Sequence, residues 1–351
     1  MDYQYQVTIG MPVWGVEKYI KRSLLSILNQ DFDDMEILVI DDCGPDKSIE
    51  IAQELSKSHP KGNKIKVIHQ PENMGCWAAR NKILNEAKGK YIFLVDSDDY
   101  IAKDAIKKLY QKAEETQVEA TYGSVLPVDE DGIFLKNSGV DGISLPDITL
   151  RGEDELASFA NDNTQRLRLN NFIWNIMLRA DFLQAHHLQF RKTKFWDDVL
   201  FNADMQPLIT SATFISDITY YYVIRDNSLS NYQERAIIHP DEVRQNISNH
   251  EYLKKQCLSL KEKRFFEVRM TKMMRAMFYT ITGALRNEKK LSEPIPYKEY
   301  RDAMRHPLSL REILKFKNYK TINILFCILG NLPSNISVLI IKIIGKLRCL
   351  I

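Results

Sequence analysis

Apolar residues crowd positions 7–13 and stop at Trp14-Gly15. Over residues 16–29, Ile20, Leu24, Ile27 and Leu28 fall at helical spacing. The run EILVI at 36–40 predicts a buried strand that ends in Asp41-Asp42, and 48–55 predicts a helix. Residues 65–69 predict a third strand, and 76–87 a helix closed by Gly89. YIFLV at 91–95 predicts a fourth strand running into Asp96-Ser97-Asp98-Asp99. A helix over 102–116 and a strand over 120–128 continue the series. Strands alternating with helices of this length imply an α/β domain with a parallel, doubly wound sheet.

Beyond residue 128 the pattern loosens. Residues 129–170 read as a long polar loop with a short helix over 153–160, and 174–185 as helical. Residues 195–205 read as Phe195-Trp196-Asp197-Asp198 leading into a helix, and ITYYYVI at 218–224 as a strand. After Asp241 the spacing is helical over 241–256 and 264–286, with Pro294, Pro296 and Pro307 as punctuation. Residues 322–341 form 20 consecutive uncharged positions, about the length of a membrane span. Gly330, Asn331, Pro333, Ser334 and Asn335 interrupt them, which predicts two short apolar helices rather than one.

Charge divides the chain. The net charge is +2 over 351 residues, yet residues 254–351 hold 21 Lys and Arg against 7 Asp and Glu. Residues 1–253 hold 27 against 39. An acidic front suits cation chemistry and a basic tail suits an anionic partner. The five cysteines Cys43, Cys76, Cys257, Cys327 and Cys349 form no CxxC pair and read as reduced thiols of a cytosolic protein. The opening MDYQYQVTIGMPVW has no basic n-region and no long apolar core, so no secretory signal is expected. At 44% hydrophobic residues the chain builds a core, which excludes a disordered class.

In open α/β sheets, ligands sit beyond the carboxyl ends of the strands. Pro12, Asp41-Asp42 and Asp96–Asp99 all fall there, so three strand ends aim turn-forming or acidic groups at one rim. At strand period, Asp96 and Asp98 share a side, and two buried carboxylates so placed require a cation between them. Mg²⁺ or Mn²⁺, hard ions that share their coordination with substrate phosphates, suit such a pair. The bland reading is a solvated acidic turn with Asp99 as a helix cap. Asp41-Asp42 before Gly44-Pro45 reads equally as a turn or as an acceptor for a nucleobase imide. Arg80 reads as a surface arginine, a phosphate ligand or a partner for the acidic cluster. Asp197-Asp198 reads as a helix cap or, beside Phe195 and Trp196, as a carboxylate poised for general-base work.

In order along the chain, these segments resemble the family 2 glycosyltransferases. The resemblance runs from about residue 7 to residue 230. It is carried by Met11-Pro12-Val13-Trp14, by Ser26 through Gln30, by 36–42, and by Asn73-Met74-Gly75 through Ala79-Arg80-Asn81. It continues with 91–99, with Trp174-Asn175 through Asp197-Asp198, and with Tyr221-Tyr222, Arg225 and Ser228.

The resemblance implies a GT-A fold over residues 1–235: a doubly wound, mostly parallel sheet flanked by helices. A helical extension over 236–320 and an apolar, basic segment over 321–351 follow. It implies an inverting transfer of sugar from a nucleoside diphosphate donor, most simply a UDP-sugar, to an acceptor hydroxyl, with Mn²⁺ or Mg²⁺. Pro12, Trp14 and Asp42 would receive the uridine, Arg80 the region of base and diphosphate, and Asp96 the ribose, with Ser97 also in the donor site. Asp98 would hold the metal, Arg225 and Ser228 the pyrophosphate. Asp198 would be the base, with Asp197 and Trp174 supporting it on the acceptor side. The family's D-D-G-S stands here as Asp42-Cys43-Gly44-Pro45, its E-D as Asp197-Asp198, and its P-V-Y-N as Pro12-Val13-Trp14-Gly15.

The acceptor implied is a glycan or lipid-linked glycan of bacterial surface polysaccharide: capsule, O-antigen or exopolysaccharide. The expected location is cytoplasmic, attached peripherally to the anionic inner face of the membrane through the tail's apolar faces and its basic neighbours. The alternative for the tail is a helical pair packed on the protein. Two other functions compete. A sugar-1-phosphate nucleotidyltransferase requires a Gly-rich basic loop after strand one, and residues 11–16 hold one Gly and no Lys or Arg. A non-catalytic sugar-nucleotide-binding protein has no need of competent side chains at every catalytic position, and those are present. Nucleic-acid binding through the basic helices after Lys254 is not expected.

Overall fold

A computed structural model describes residues 2–135, 142–153, 155, 156, 159, 172–225 and 235–348. The chain divides into two compact units, Met1–Asp226 and Asn227–Ile351.

Among the described residues of the first unit, nine strands form one sheet: β1 (Tyr5–Val13), β2 (Met35–Asp41), β3 (Ile65–His69), β4 (Gly89–Leu94), β5 (Tyr100–Ile101), β6 (Ala120–Val128), β7 (Ile148–Arg151), β8 (Ile176–Arg179) and β9 (Ser211–Val223). The order is β3-β2-β1-β4-β8-β6-β9-β5, with β7 on β9. The pairs among β3, β2, β1 and β4 are parallel, joined by helices Ile20–Leu28, Ser48–Ser58 and Cys76–Glu86. This half is the doubly wound arrangement expected, and both faces of its strands are covered. Val7, Ile9, Met11, Ile37 and Val39 are fully buried.

The other half departs from a parallel sheet. β8 runs antiparallel to both β4 and β6, and β5 and β7 run antiparallel to β9. The fold is therefore a mixed α/β sheet. A parallel pair needs a crossover of a dozen or more residues, usually a helix, and helices no longer alternate with every strand in this stretch. β8 also corrects the helical reading of 174–185: Ile176–Arg179 is strand, and only Ala180–Ala185 is helix. Ile176, Met177 and Leu178 are buried between two strands, and that pairing overrides the local period. The polar loop expected over 129–170 holds a strand, β7, because Ile148–Arg151 pairs with β9; half of the short helix expected over 153–160, and residues 160–171, lie outside the described residues.

Strand order reverses between β1 and β4, and registers bring their ends together. Val13 pairs with Asp41, the Asp42 amide donates to the Val13 carbonyl at 3.0 Å, and the Val95 amide donates to the Gly10 carbonyl at 3.0 Å. Asp42 and Asp96 thus flank the end of β1, the location where open sheets bind ligands.

The second unit is helical: Pro240–Leu258, Phe266–Arg286, Tyr297–Ala303, Leu310–Ile313, Lys320–Asn331 and Ser334–Leu347. Met270, Met274, Met277 and Ile281 share one core with Phe326, Leu329, Val338 and Ile341. The tail is therefore the predicted pair of helices, broken at Leu332-Pro333, with one face packed into its own unit. The separation expected between 236–320 and 321–351 is not seen, because both stretches supply the same core. Among the described residues, no helix is long and apolar enough to cross a membrane.

Candidate active site

Arg80 organises the rim. It lies in the helix Cys76–Glu86 and is 5% exposed. One terminal nitrogen donates to Asp96 Oδ1 at 2.8 Å and the other to Asp197 Oδ2 at 2.8 Å. Its guanidinium also stands 5.6 Å from the centre of the Phe190 ring. Of the three readings open for Arg80, the structure displays the partner of the acidic cluster. The neighbouring Asn81 ties in the same loop: its amide donates to the Phe190 carbonyl at 2.8 Å and its oxygen accepts from the Phe190 amide at 2.7 Å. Two adjacent helical residues therefore fasten the segment that leads to Asp197 and Asp198.

Asp197 opens the helix Asp197–Met205, after Trp196 with a left-handed φ of 62°. Asp198 follows and is half-buried. Burial pushes its carboxyl up to about 7; Arg80 opposes that rise and the charge on Asp197 adds to it. Its Oδ1 accepts from the Val199 amide at 2.8 Å. A carboxylate balanced near neutrality suits a general base.

Asp98 faces Arg225, 2.6 Å away. Burial and the charge on Asp96 raise the Asp98 carboxyl above its ordinary range, and Arg225 counters both. Arg225 lies over the Tyr19 ring at 5.3 Å. Ser97 is buried between the two aspartates. Ser228, expected beside Arg225, lies outside the described residues.

Asp42 is 3% exposed and is not a helix cap. Asp46 serves the helix Ser48–Ser58 instead, accepting from the Ser48 amide at 3.1 Å and the Ser48 hydroxyl at 2.6 Å. Asp42 accepts from Gln70 at 2.6 Å, from the Met74 amide at 2.7 Å and from the Gly75 amide at 2.9 Å. Burial still raises its carboxyl above the usual value. Gly75 sits at φ 93° and ψ 161°, backbone space that only glycine occupies readily. Pro12 is buried at the end of β1, while Trp14 is 47% exposed and free to form a wall.

Trp174 takes a place that the sequence did not suggest. It is buried and stacks on Phe172 at 4.2 Å, on Tyr220 at 4.5 Å and on Tyr222 at 5.5 Å. It packs in the middle of an aromatic stack with the Tyr220 that holds Asp99.

Sequence reasoning missed Tyr220 and passed over Asp99. The Tyr220 hydroxyl donates to Asp99 Oδ2 at 2.8 Å and accepts from the Asp96 amide at 3.2 Å. Asp99 Oδ1 accepts from the Val223 amide at 2.7 Å, so the acidic turn is bolted to β9. The available signal was strand alternation in ITYYYVI, which sets Tyr220 and Tyr222 on one face.

Among the described residues, no group of three or more His, Cys, Asp or Glu is arranged to hold a metal. Asp98 offers one half-buried carboxylate at the rim, already facing Arg225. That fits Mg²⁺ or Mn²⁺, which take one or two carboxylates and fill the remaining positions from phosphates and water.

Comparison with known proteins bears on the family and the fold. Residues 8–171 match the family model "Glycosyl transferase family 2". "Glycosyltransferase GlyA" of Streptococcus pneumoniae is 32% identical over 229 residues, 64% of this chain but 31% of GlyA. The matches to GlyA and to the next two curated relatives span 31% to 64% of those proteins' lengths. S. aureus TarS 1-349 in complex with UDP superposes with a TM-score of 0.62 at 18% identity, covering 93% of this chain and 88% of that one. The mannosyltransferase PcManGT of Pyrobaculum calidifontis, solved with GDP-Man and Mn2+, gives a TM-score of 0.53 at 14% identity, covering 97% and 88%. The fold is GT-A. The amino-terminal unit belongs to the family 2 glycosyltransferases, whose model matches its residues 8–171.

Proposed function

We propose that the chain transfers a sugar from a nucleoside diphosphate donor, most simply a UDP-sugar, to an acceptor hydroxyl with inversion at the anomeric carbon. The observation that carries this reading is the double hydrogen bond of Arg80, which joins the acidic turn at Asp96 to the helix that begins at Asp197 and Asp198. The binding of UDP by TarS and of GDP-Man by PcManGT supports a nucleotide-sugar donor.

The base and uridine lie on Pro12, Trp14 and Asp42, and the ribose on Asp96 and Ser97. The diphosphate lies toward Asp98, Arg225 and Ser228. Asp198 accepts the proton of the acceptor hydroxyl while that oxygen forms its bond to the anomeric carbon. The bond from that carbon to the diphosphate oxygen breaks, and its electron pair leaves with the diphosphate. General-base help of this kind contributes about 10²–10⁴-fold in rate. Arg225 meets the charge that grows on the leaving group. Mn²⁺ or Mg²⁺ held by Asp98 would supply further positive charge there. Arg80 and Asp197 hold Asp198 in place, and Trp174 stiffens the wall behind them.

The acceptor is a glycan or lipid-linked glycan of bacterial surface polysaccharide assembly. The amino-terminal unit catalyses, 236–320 extends it, and 321–351 brings the chain to the inner face of the cytoplasmic membrane. The test is a donor screen that measures UDP or GDP release with Mn²⁺, for the wild type and Asp198→Asn. One donor is expected to be turned over by the wild type, with the variant at least about 10²-fold slower. No release from any donor and acceptor pair, or equal release by both proteins, overturns the reading.

A further inference from the structure

The helix Ser334–Leu347 is apolar on two opposite faces. Val338, Ile341 and Gly345 are buried in the core of the second unit, along with Ser337. Ile336 (48% exposed), Leu339 (58%), Ile343 (50%) and Leu347 (80%) are open to solvent. Their spacing of three, four and four residues puts them in a single stripe along the helix. The protein's own core accounts for the first face only.

Along the chain the charge that accompanies this helix is of one sign. After Glu312 the sequence holds no Asp or Glu, while Lys315, Lys317, Lys320, Lys342, Lys346 and Arg348 follow. Of these, Lys342 is paired, with Glu288 at 2.8 Å. The preceding helix, Lys320–Asn331, adds an exposed Ile328, and Leu310 and Leu314 are also about half exposed. An apolar stripe that ends in Lys346 and Arg348, with Lys342 already neutralised by Glu288, complements a surface whose interior is hydrocarbon and whose rim is anionic.

We propose that this stripe docks on an anionic lipid surface. The helix Ser334–Leu347 lies in the membrane plane, with Ile336, Leu339, Ile343 and Leu347 below the headgroups and Lys346 and Arg348 among them. Spanning is excluded by length: 14 residues reach about 21 Å, short of the ~30 Å hydrocarbon core. The proposal deepens the placement given under Proposed function and rests on it. Donor chemistry in the other unit is not required for it to hold.

The experiment uses the full chain and sucrose-loaded vesicles of phosphatidylcholine, with or without phosphatidylglycerol, pelleted at about 0.05 M and about 0.5 M salt. Wild type is expected to pellet with the anionic vesicles at low salt, and less so with neutral vesicles or at high salt. Leu339→Glu with Ile343→Glu is expected to lower the bound fraction at least ~10-fold. Its melting temperature and UDP release from soluble donor should stay at wild-type values, which shows that the fold is kept. Asp198→Asn should bind vesicles like wild type, so loss of transfer and loss of docking read out separately. Equal pelleting of wild type and double variant overturns the proposal. So does a wild-type dimer that the double variant converts to monomer without any vesicle binding, since the stripe then belongs to a second copy.

Discussion

Arg80 holds Asp96 and Asp197 at the same distance, 2.8 Å, from two nitrogens of one guanidinium. The two carboxylates are 101 positions apart in the chain, so this side chain joins the acidic turn to the helix Asp197–Met205. A planar fork can serve two acceptors at once, and an ammonium on a flexible stem serves them poorly. Arg80→Lys is therefore expected to lower kcat about 10²-fold, with a much smaller change in the donor KM. Arg80→Met leaves two carboxylates without their cation and is expected to cost about 3–5 kcal/mol of stability, read by urea titration. A lysine variant with wild-type kcat would show that the tether has no part in positioning.

Asp98 stands against Arg225 at 2.6 Å, and its carboxyl is raised by burial and by Asp96. Asp98→Ala should abolish any dependence of donor affinity on Mn²⁺, measured by calorimetry with UDP before and after EDTA. Wild-type affinity should fall on chelation while the variant's stays low and flat. Identical EDTA responses in the two proteins would remove Asp98 as the metal ligand.

The Gly75 amide bonds Asp42, and its backbone lies at φ 93°. A side chain there adopts that conformation at a cost of about 1–3 kcal/mol. An added Cβ would also come within 3.2 Å of the Trp77 ring. Gly75→Ala is expected to lower the melting temperature and to weaken UDP binding, because Asp42 loses its fixed donors. Asp42→Asn should weaken UDP binding while keeping the wild-type response to EDTA, which separates it from Asp98→Ala. Unaltered UDP affinity in both variants would detach this turn from the nucleotide.

The parallel half of the sheet was legible because each strand is a short, mostly apolar run followed within a few residues by Gly, Asp or Pro. Ile65–His69 and Ala120–Val128 form at the bounds the pattern predicts. β8 was not legible: four residues carry too little period to tell strand from helix, and its identity comes from the two strands beside it. The acidic residues of the rim were visible as strand-end clusters, but their partners were not. Nothing local in Ala79-Arg80-Asn81 says that the arginine turns to Asp197, and nothing local near Asp42 says that it bonds the Met74 and Gly75 amides. Those contacts are made between segments far apart in sequence. Trp174 likewise reads as a site residue in the chain and proves to be the middle of an aromatic stack.

The Asp198 carboxyl, raised to about 7 from an ordinary value near 3.8, sets the pH behaviour. Between those values the folded state carries a proton that the unfolded state has released. By linkage, this group favours folding at low pH, and that contribution declines as pH rises toward 7. Activity runs the other way, because only the ionised form accepts a proton. The pH profile of kcat/KM is expected to show an ascending limb near pH 7. Arg80 holds the Asp198 value down and Asp197 pushes it up. Arg80→Met should therefore move the limb to higher pH and Asp197→Asn to lower pH, a pair of opposite shifts that a loss of folded protein cannot mimic. Stopped assays of UDP release between pH 5 and 9, with circular dichroism at each pH, give both quantities. A limb that stays in place in both variants would mean that a group other than Asp198 takes the proton.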